Sequence, residues 1–147
     1  MSLDLQSPLG HGTDGSVWRT SHHSAVKALV LEKLFITELE CYQRFKAQGI
    51  TKIRGFSVPM LLGASAALLV IEMKIVTPPY ILDFAKAHLD QPAEFSQETW
   101  EDWHEQGHEL FEGNWKEVKL LLAELKQFGI YYYDAKPQNI RFITVAD

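Results

Sequence analysis

Tyr131-Tyr132-Tyr133-Asp134-Ala135-Lys136-Pro137-Gln138-Asn139-Ile140 sets a carboxylate, a lysine and a carboxamide at fixed offsets, with Pro137 stiffening the backbone between them. Chemistry on a bound anion can be built this way. A carboxylate orients or deprotonates a hydroxyl, a lysine neutralises a phosphoryl group in transfer, and a carboxamide oxygen ligates a hard cation such as magnesium. Taken alone, Asp134 also fits a carboxylate in a helix-to-strand turn. The segments that lead to it decide its meaning.

Working back from this stretch, Val118, Leu121, Leu122, Leu125 and Phe128 form an apolar stripe that predicts a helix over residues 115–128, ended by Gly129. Before it, Ser96 reads as a helix cap with Glu98 in the first turn. Trp100, Trp103, Phe111 and Trp115 among acids predict an amphipathic helix pair interrupted near Gly113-Asn114, a face as suited to an interface as to a core. Residues 82–89 are expected to form a short helix capped by Asp83 or its neighbours. Thr77-Pro78-Pro79-Tyr80 cannot stay in a central strand and reads as a connector.

At the other end, Leu9-Gly10-His11-Gly12-Thr13-Asp14-Gly15-Ser16-Val17-Trp18 carries the G-x-G-x-x-G-x-V spacing. Glycines so placed permit a tight hairpin whose N–H groups close over phosphate oxygens, although a surface turn without a ligand fits the isolated motif as well. Strands are expected over 16–20 and 24–30. Lys27 stands inside the second, where an apolar setting makes its charge costly unless it is paired or faces a ligand. A helix over residues 31–48 supplies a partner. Leu34, Glu38, Cys41, Tyr42 and Phe45 share one face, which makes Glu38 the candidate for Lys27 and Glu40 the fallback. Short extended pieces follow Gly49. Residues 66–73 read as a fully apolar buried strand.

The chain has 147 residues, 46% of them hydrophobic and 22% charged, enough to bury a core. Fourteen basic against nineteen acidic side chains give a net charge of −5, which argues against nucleic acid or an anionic membrane as the main partner. Cys41 is the one cysteine, so neither an intramolecular disulfide nor a thiolate cluster is possible. The longest apolar run, residues 60–71, falls well short of the roughly 20 residues of a membrane span. A cytoplasmic protein is the expectation.

One competing motif is His104-Glu105-Gln106-Gly107-His108, which matches H-E-x-x-H. On a helix the two histidines would share a face and hold zinc, with Glu105 as general base. Gly107 weakens the helix, and no third ligand is set at a clear spacing. A solvated helix face fits as well.

Glycine-rich hairpin, strand lysine, helix glutamate, apolar strand, connector, helical region, then D-x-K-P-x-N-I is an order of parts that resembles the protein-kinase-like superfamily. The endings Ser7-Pro8-Leu9-Gly10 and Lys136-Pro137-Gln138-Asn139-Ile140 are also similar to the bacterial YrbL kinase-like family. The resemblance implies an α+β fold. An N-terminal antiparallel β lobe with one helix would span residues 1–73, a hinge 74–79, and a reduced, mainly helical C-terminal lobe 80–147.

It implies the cofactors ATP and Mg2+, with an unidentified protein or small molecule as acceptor. Gly10, Gly12 and Gly15 would cover the phosphates, with Val17 beside them. Lys27 would contact the α- and β-phosphates and Glu38 would hold Lys27. Glu72, Met73 and Lys74 would offer backbone groups to adenine. Asp134 would orient the acceptor hydroxyl, Lys136 would meet the γ-phosphate, Asn139 would ligate magnesium, and Asp147 would be the second metal ligand. Tyr132 and Tyr133 replace the usual His-Arg, and no D-F-G follows Asn139. Three functions stay open. They are a minimal phosphotransferase, a pseudokinase-type binding or regulatory module without turnover, and, remotely, a zinc hydrolase through His104 and His108.

Overall fold

The computed structural model describes residues 4–11 and 15–143, and its architecture is α+β. In chain order the first elements are β1 (Leu5–His11), β2 (Gly15–Thr20), β3 (Ser24–Leu29), α1 (Glu32–Ala47), β4 (Lys52–Ile53), β5 (Phe56–Ser57), β6 (Leu61–Ser65) and β7 (Val70–Lys74). After them come β8 (Tyr80–Ile81), β9 (His88–Leu89), α2 (Gln97–Phe111), α3 (Trp115–Leu125), β10 (Ile130–Tyr131) and β11 (Ile140–Arg141). The larger sheet runs β1-β2-β3-β7-β6, all antiparallel.

Helix α1 packs across β3, β6 and β7. It buries Phe35, Glu38, Cys41, Tyr42 and Phe45, so the expected stripe holds except that Phe35, not Leu34, leads it. The left-handed Gly49 ends the helix region, its N–H bonded to the Lys46 carbonyl at 3.1 Å. A smaller sheet runs β11-β8-β5-β4, with β5 and β8 parallel. It joins strands from both sides of the expected connector at 74–79. Strands β9 and β10 form a separate antiparallel pair.

Two local expectations are corrected. Residues 66–73 are not one strand. Residues 66–69 form a turn in which Ser65 Oγ accepts the Leu68 N–H, Leu69 is left-handed and its carbonyl accepts the Leu29 N–H at 2.8 Å, while Leu68 is exposed. An unbroken apolar run has no periodicity to mark such a turn. Nor do residues 82–89 form a helix. Asp83 adopts φ 73°, the Phe84 N–H bonds to the Glu38 carboxylate, and the chain turns and continues into β9. Tertiary partners won over weak local propensity.

Helix α2 starts where expected, with the Ser96 hydroxyl accepting the Thr99 N–H at 3.1 Å. A tight turn over Glu112–Asn114 separates it from α3. Trp115 and Phe111 are buried and their rings stack 6.0 Å apart, so this part of the aromatic-acidic region belongs to the core. Gly107 is required by that packing, because a Cβ there would collide with the Trp115 indole. No helix among the described residues is long and apolar enough to cross a membrane.

Candidate functional site

Lys27 reaches the site from the centre of β3, opposite Val17 on β2 and Ile71 on β7. Its ammonium lies 2.6 Å from Glu38 Oε1 and 2.6 Å from Asp83 Oδ1. The expected Lys27–Glu38 pair is present, and Glu40 instead pairs with Arg44 one helical turn on. Side-chain exposures of 8% for Lys27 and 0% for Glu38 mean that neither charge is tolerable alone. Burial works against the Lys27 ammonium, but Glu38 and Asp83 outweigh it and raise its pKa above the ordinary lysine value.

Asp83 was not foreseen as a site residue. Its corner is docked twice onto the Lys27–Glu38 pair, once through its own carboxylate and once through the Phe84 N–H, 2.5 Å from Glu38 Oε2. The Phe84 ring is fully buried between Tyr42, Phe45 and Tyr132, with ring centroids 5.4 to 5.5 Å away. Tyr132 donates its hydroxyl to the Leu82 carbonyl at 3.0 Å. Burial, then the Asp83 and Asp134 carboxylates, push that phenol well above its ordinary pKa and keep it a neutral donor. No spacing rule marks an aspartate whose partners lie on β3 and α1.

Residues 132–140 fold as a tight turn after β10. The N–H groups of Asn139 and Ile140 both bond to the Lys136 carbonyl at 2.9 Å, with Pro137 inside the turn. Asn139 is buried and donates Nδ2 to the Asp134 carbonyl at 3.0 Å and to Asp134 Oδ2 at 3.3 Å. Lys136 Nζ lies 3.2 Å from Asp134 Oδ1. Trp103 on α2 donates Nε1 to the Tyr133 carbonyl at 2.9 Å, which fixes the backbone just ahead of Asp134.

These parts meet around one cavity of about 650 Å³. Gly15, Val17, Lys27, Met73, Lys74, Asp134, Lys136 and Asn139 line it, as does Asp83. Pairing of Ile140 with Ile81 and Arg141 with Tyr80 across β11 and β8 explains the lower wall. The isoleucines point into the core, while Tyr80, Leu82, Asn139 and Arg141 line the cavity. Gly15 approaches β3 so closely that a Cβ would collide with the Ala28 carbonyl. Among the described residues five cations, Lys27, Lys74, Lys86, Lys136 and Arg141, line the cavity with two acids, Asp83 and Asp134, so a chain of net charge −5 carries a locally basic cavity there. That composition suits an anion.

Other expected residues lie elsewhere. Gly10 pairs with Val17 in the β1–β2 ladder, whereas Gly12 and Asp147 lie outside the described residues. Glu72 does not line the cavity: it pairs with Val26 inside the sheet, and its carboxylate accepts the Ser24 hydroxyl at 2.5 Å. The Lys74 N–H is taken by the Met60 carbonyl at 2.9 Å, and Ile75 and Val76 line the cavity just beyond. His104 and His108 flank Trp115, their rings 6.2 Å from its ring. Among the described residues no group of three His, Cys, Asp or Glu side chains is placed to hold a metal. Compared with known proteins, the chain matches no family model and no curated sequence.

Proposed function

We propose that the chain is a minimal kinase-like protein that binds Mg-ATP and transfers its γ-phosphoryl group to a hydroxyl of a small molecule or protein. The observation that carries this reading is the convergence of Lys27, Asp83, Asp134, Lys136 and Asn139 on one basic cavity. Val17, Ala25 and Met73 from the larger sheet, with Tyr80 and Leu82, give the cavity an apolar lining suited to a flat base.

In protein kinases the second metal carboxylate belongs to a D-F-G triplet. Asp83-Phe84-Ala85 has two of those three letters. It reaches the cavity from β8, the strand paired with β11 directly after Asn139. In this reading the carboxylate comes from upstream of Asp134 rather than from Asp147. The donor types suit a hard cation: Asp83 offers carboxylate oxygens and Asn139 an amide oxygen, its Nδ2 being bonded to Asp134. Magnesium is held through one or two carboxylates plus phosphate oxygens, a set of this size. When bound, it neutralises charge on the phosphates.

The chain's own groups then divide the work. Lys27, held by Glu38, binds phosphate oxygens, and Lys136 offsets charge on the transferring group. Asp134 accepts the hydrogen bond of the acceptor hydroxyl and takes its proton as the new O–P bond forms and the bond from the γ-phosphorus to the β–γ bridging oxygen breaks, ADP leaving with that oxygen. Asn139 holds Asp134 in place. A carboxylate at Asp83 on the cavity wall favours turnover over the binding or regulatory module without it.

Thermal unfolding with ATP, with and without magnesium, tests the binding. Ligand at a hundred times its dissociation constant adds about 2.7 kcal/mol of stability. Absence of any shift, or an equal shift in Lys27→Ala, refutes the nucleotide reading. Release of labelled γ-phosphate that disappears in Asp134→Asn identifies turnover, and binding without release identifies the pseudokinase alternative.

A further inference from the structure

A second cavity, of about 320 Å³, lies where the end of α2 and the Glu112–Asn114 turn meet β11 and the residue after it. Neither Lys27 nor Asp134 lines it, so it stands independently of the nucleotide reading. Part of its lining is apolar. The buried Phe111 and the half-buried Phe142 set their rings 6.5 Å apart at 63°, and Leu110 beside them is exposed. Glu112, Asn114 and Arg141 supply the polar part. Among the described residues none of these three side chains makes a hydrogen bond or ion pair, so two opposite charges line one small cavity without meeting each other. Glu112 is also held at φ 49° and ψ −121°, a backbone that II′ turns give to glycine. A carboxylate kept where glycine would sit with less strain points to a use for the carboxylate.

We propose that this cavity binds a free α-amino acid with a large apolar side chain. Arg141 takes the carboxylate, since a planar fork of donors matches a planar anion. Glu112 takes the ammonium, and the Phe111 and Phe142 rings take the side chain. The Asn114 amide, both donor and acceptor, serves either charged end. A simple anion would be attracted by Arg141 and repelled by Glu112, and a simple cation the reverse. A ligand that carries both charges close together satisfies both residues at once. The volume agrees, for it lies at the lower end of the roughly 300–1,000 Å³ of small-molecule pockets, with room for one small molecule rather than a nucleotide or a peptide. Arg141 lines the larger cavity as well and is the residue the two sites share.

The test is isothermal titration calorimetry of the full chain with L-phenylalanine, for which saturable binding is expected. 3-Phenylpropionate lacks the ammonium and phenethylamine lacks the carboxylate. Each should bind about tenfold more weakly or worse, the size of one lost charge-assisted bond. Glycine keeps both charges without the side chain and should give no saturable binding. Two exposed positions supply the variants. Glu112→Gly should raise Tm by relieving the backbone, weaken L-phenylalanine about tenfold and leave 3-phenylpropionate unchanged. Arg141→Gln should weaken L-phenylalanine by a similar factor and leave phenethylamine unchanged. No saturable binding of L-phenylalanine overturns the proposal, as do single-charge analogues that bind equally well, or folded variants that keep full affinity. If melting curves show both variants unfolded, the analogue series on the unaltered chain decides.

Discussion

Lys27 and Glu38 are each held by the other. Replacing Lys27 with Met leaves Glu38 as a fully buried carboxylate whose one other hydrogen-bond partner among the described residues is the Phe84 N–H, a loss expected to cost about 3–5 kcal/mol in urea unfolding. The double change Lys27→Met with Glu38→Gln should recover a large part, because the buried charge is gone. Cys41 is a second residue-scale case. Burial, reinforced by Glu38, pushes its thiol up to about 12, so the native protein should ignore a thiol reagent at about pH 8 and react only as it unfolds. The sign for stability follows from the proton count. The unfolded thiol ionises near pH 8.5 and the folded one does not, so this contribution is intact below about pH 8.5 and declines as pH rises toward about 12.

At the scale of elements, the α2–α3 pair shows how packing overrides propensity. Gly107 lies in the third turn of α2, where Ala should favour the helix by about 1 kcal/mol. The Trp115 indole occupies the space of the missing Cβ, so Gly107→Ala should instead destabilise by about 1–3 kcal/mol, read as a lower Tm. The same indole meets the H-E-x-x-H motif. His104 and His108, both exposed, and the buried Gly107 all lie against one buried ring. The turn at Asp83 is the converse case. An apolar segment with helical spacing leaves the helix because Glu38 and Lys27 bind its backbone and side chain.

Across the whole molecule, Arg44 ties the helix that carries Glu38 to the segments leading into the Asp134 turn. Its guanidinium makes two bonds to Asp90, at 2.9 and 2.8 Å, and a third to the Phe128 carbonyl at 2.7 Å. Gly129, left-handed and pressed against Arg44 and Asp90, completes this junction. Removing the guanidinium in Arg44→Ala should speed amide hydrogen exchange at β9 and β10 more than in the β1–β2–β3 ladder, which it does not touch. Uniform acceleration throughout would show instead a general loss of stability.

Much of the cavity was legible in the chain: Gly15, Val17, Lys27, Asp134, Lys136 and Asn139 all face or frame it, and Glu38 meets Lys27. These residues could be read because each is placed by a local rule. The glycine spacing makes a hairpin, an apolar strand carries a lysine, a helical stripe contains one acid, and Pro137 shapes a turn. The α+β class was legible for the same reason, since periodicity and breakers mark individual elements. What only the tertiary structure decided was which strand follows which in space. Pairing of β8 with β11 brings Asp83 beside Asn139, and docking of its turn onto α1 gives Lys27 a second carboxylate. Such contacts span distant parts of the chain and leave no spacing behind, because their partners are chosen by packing and charge rather than by the pitch of any one element.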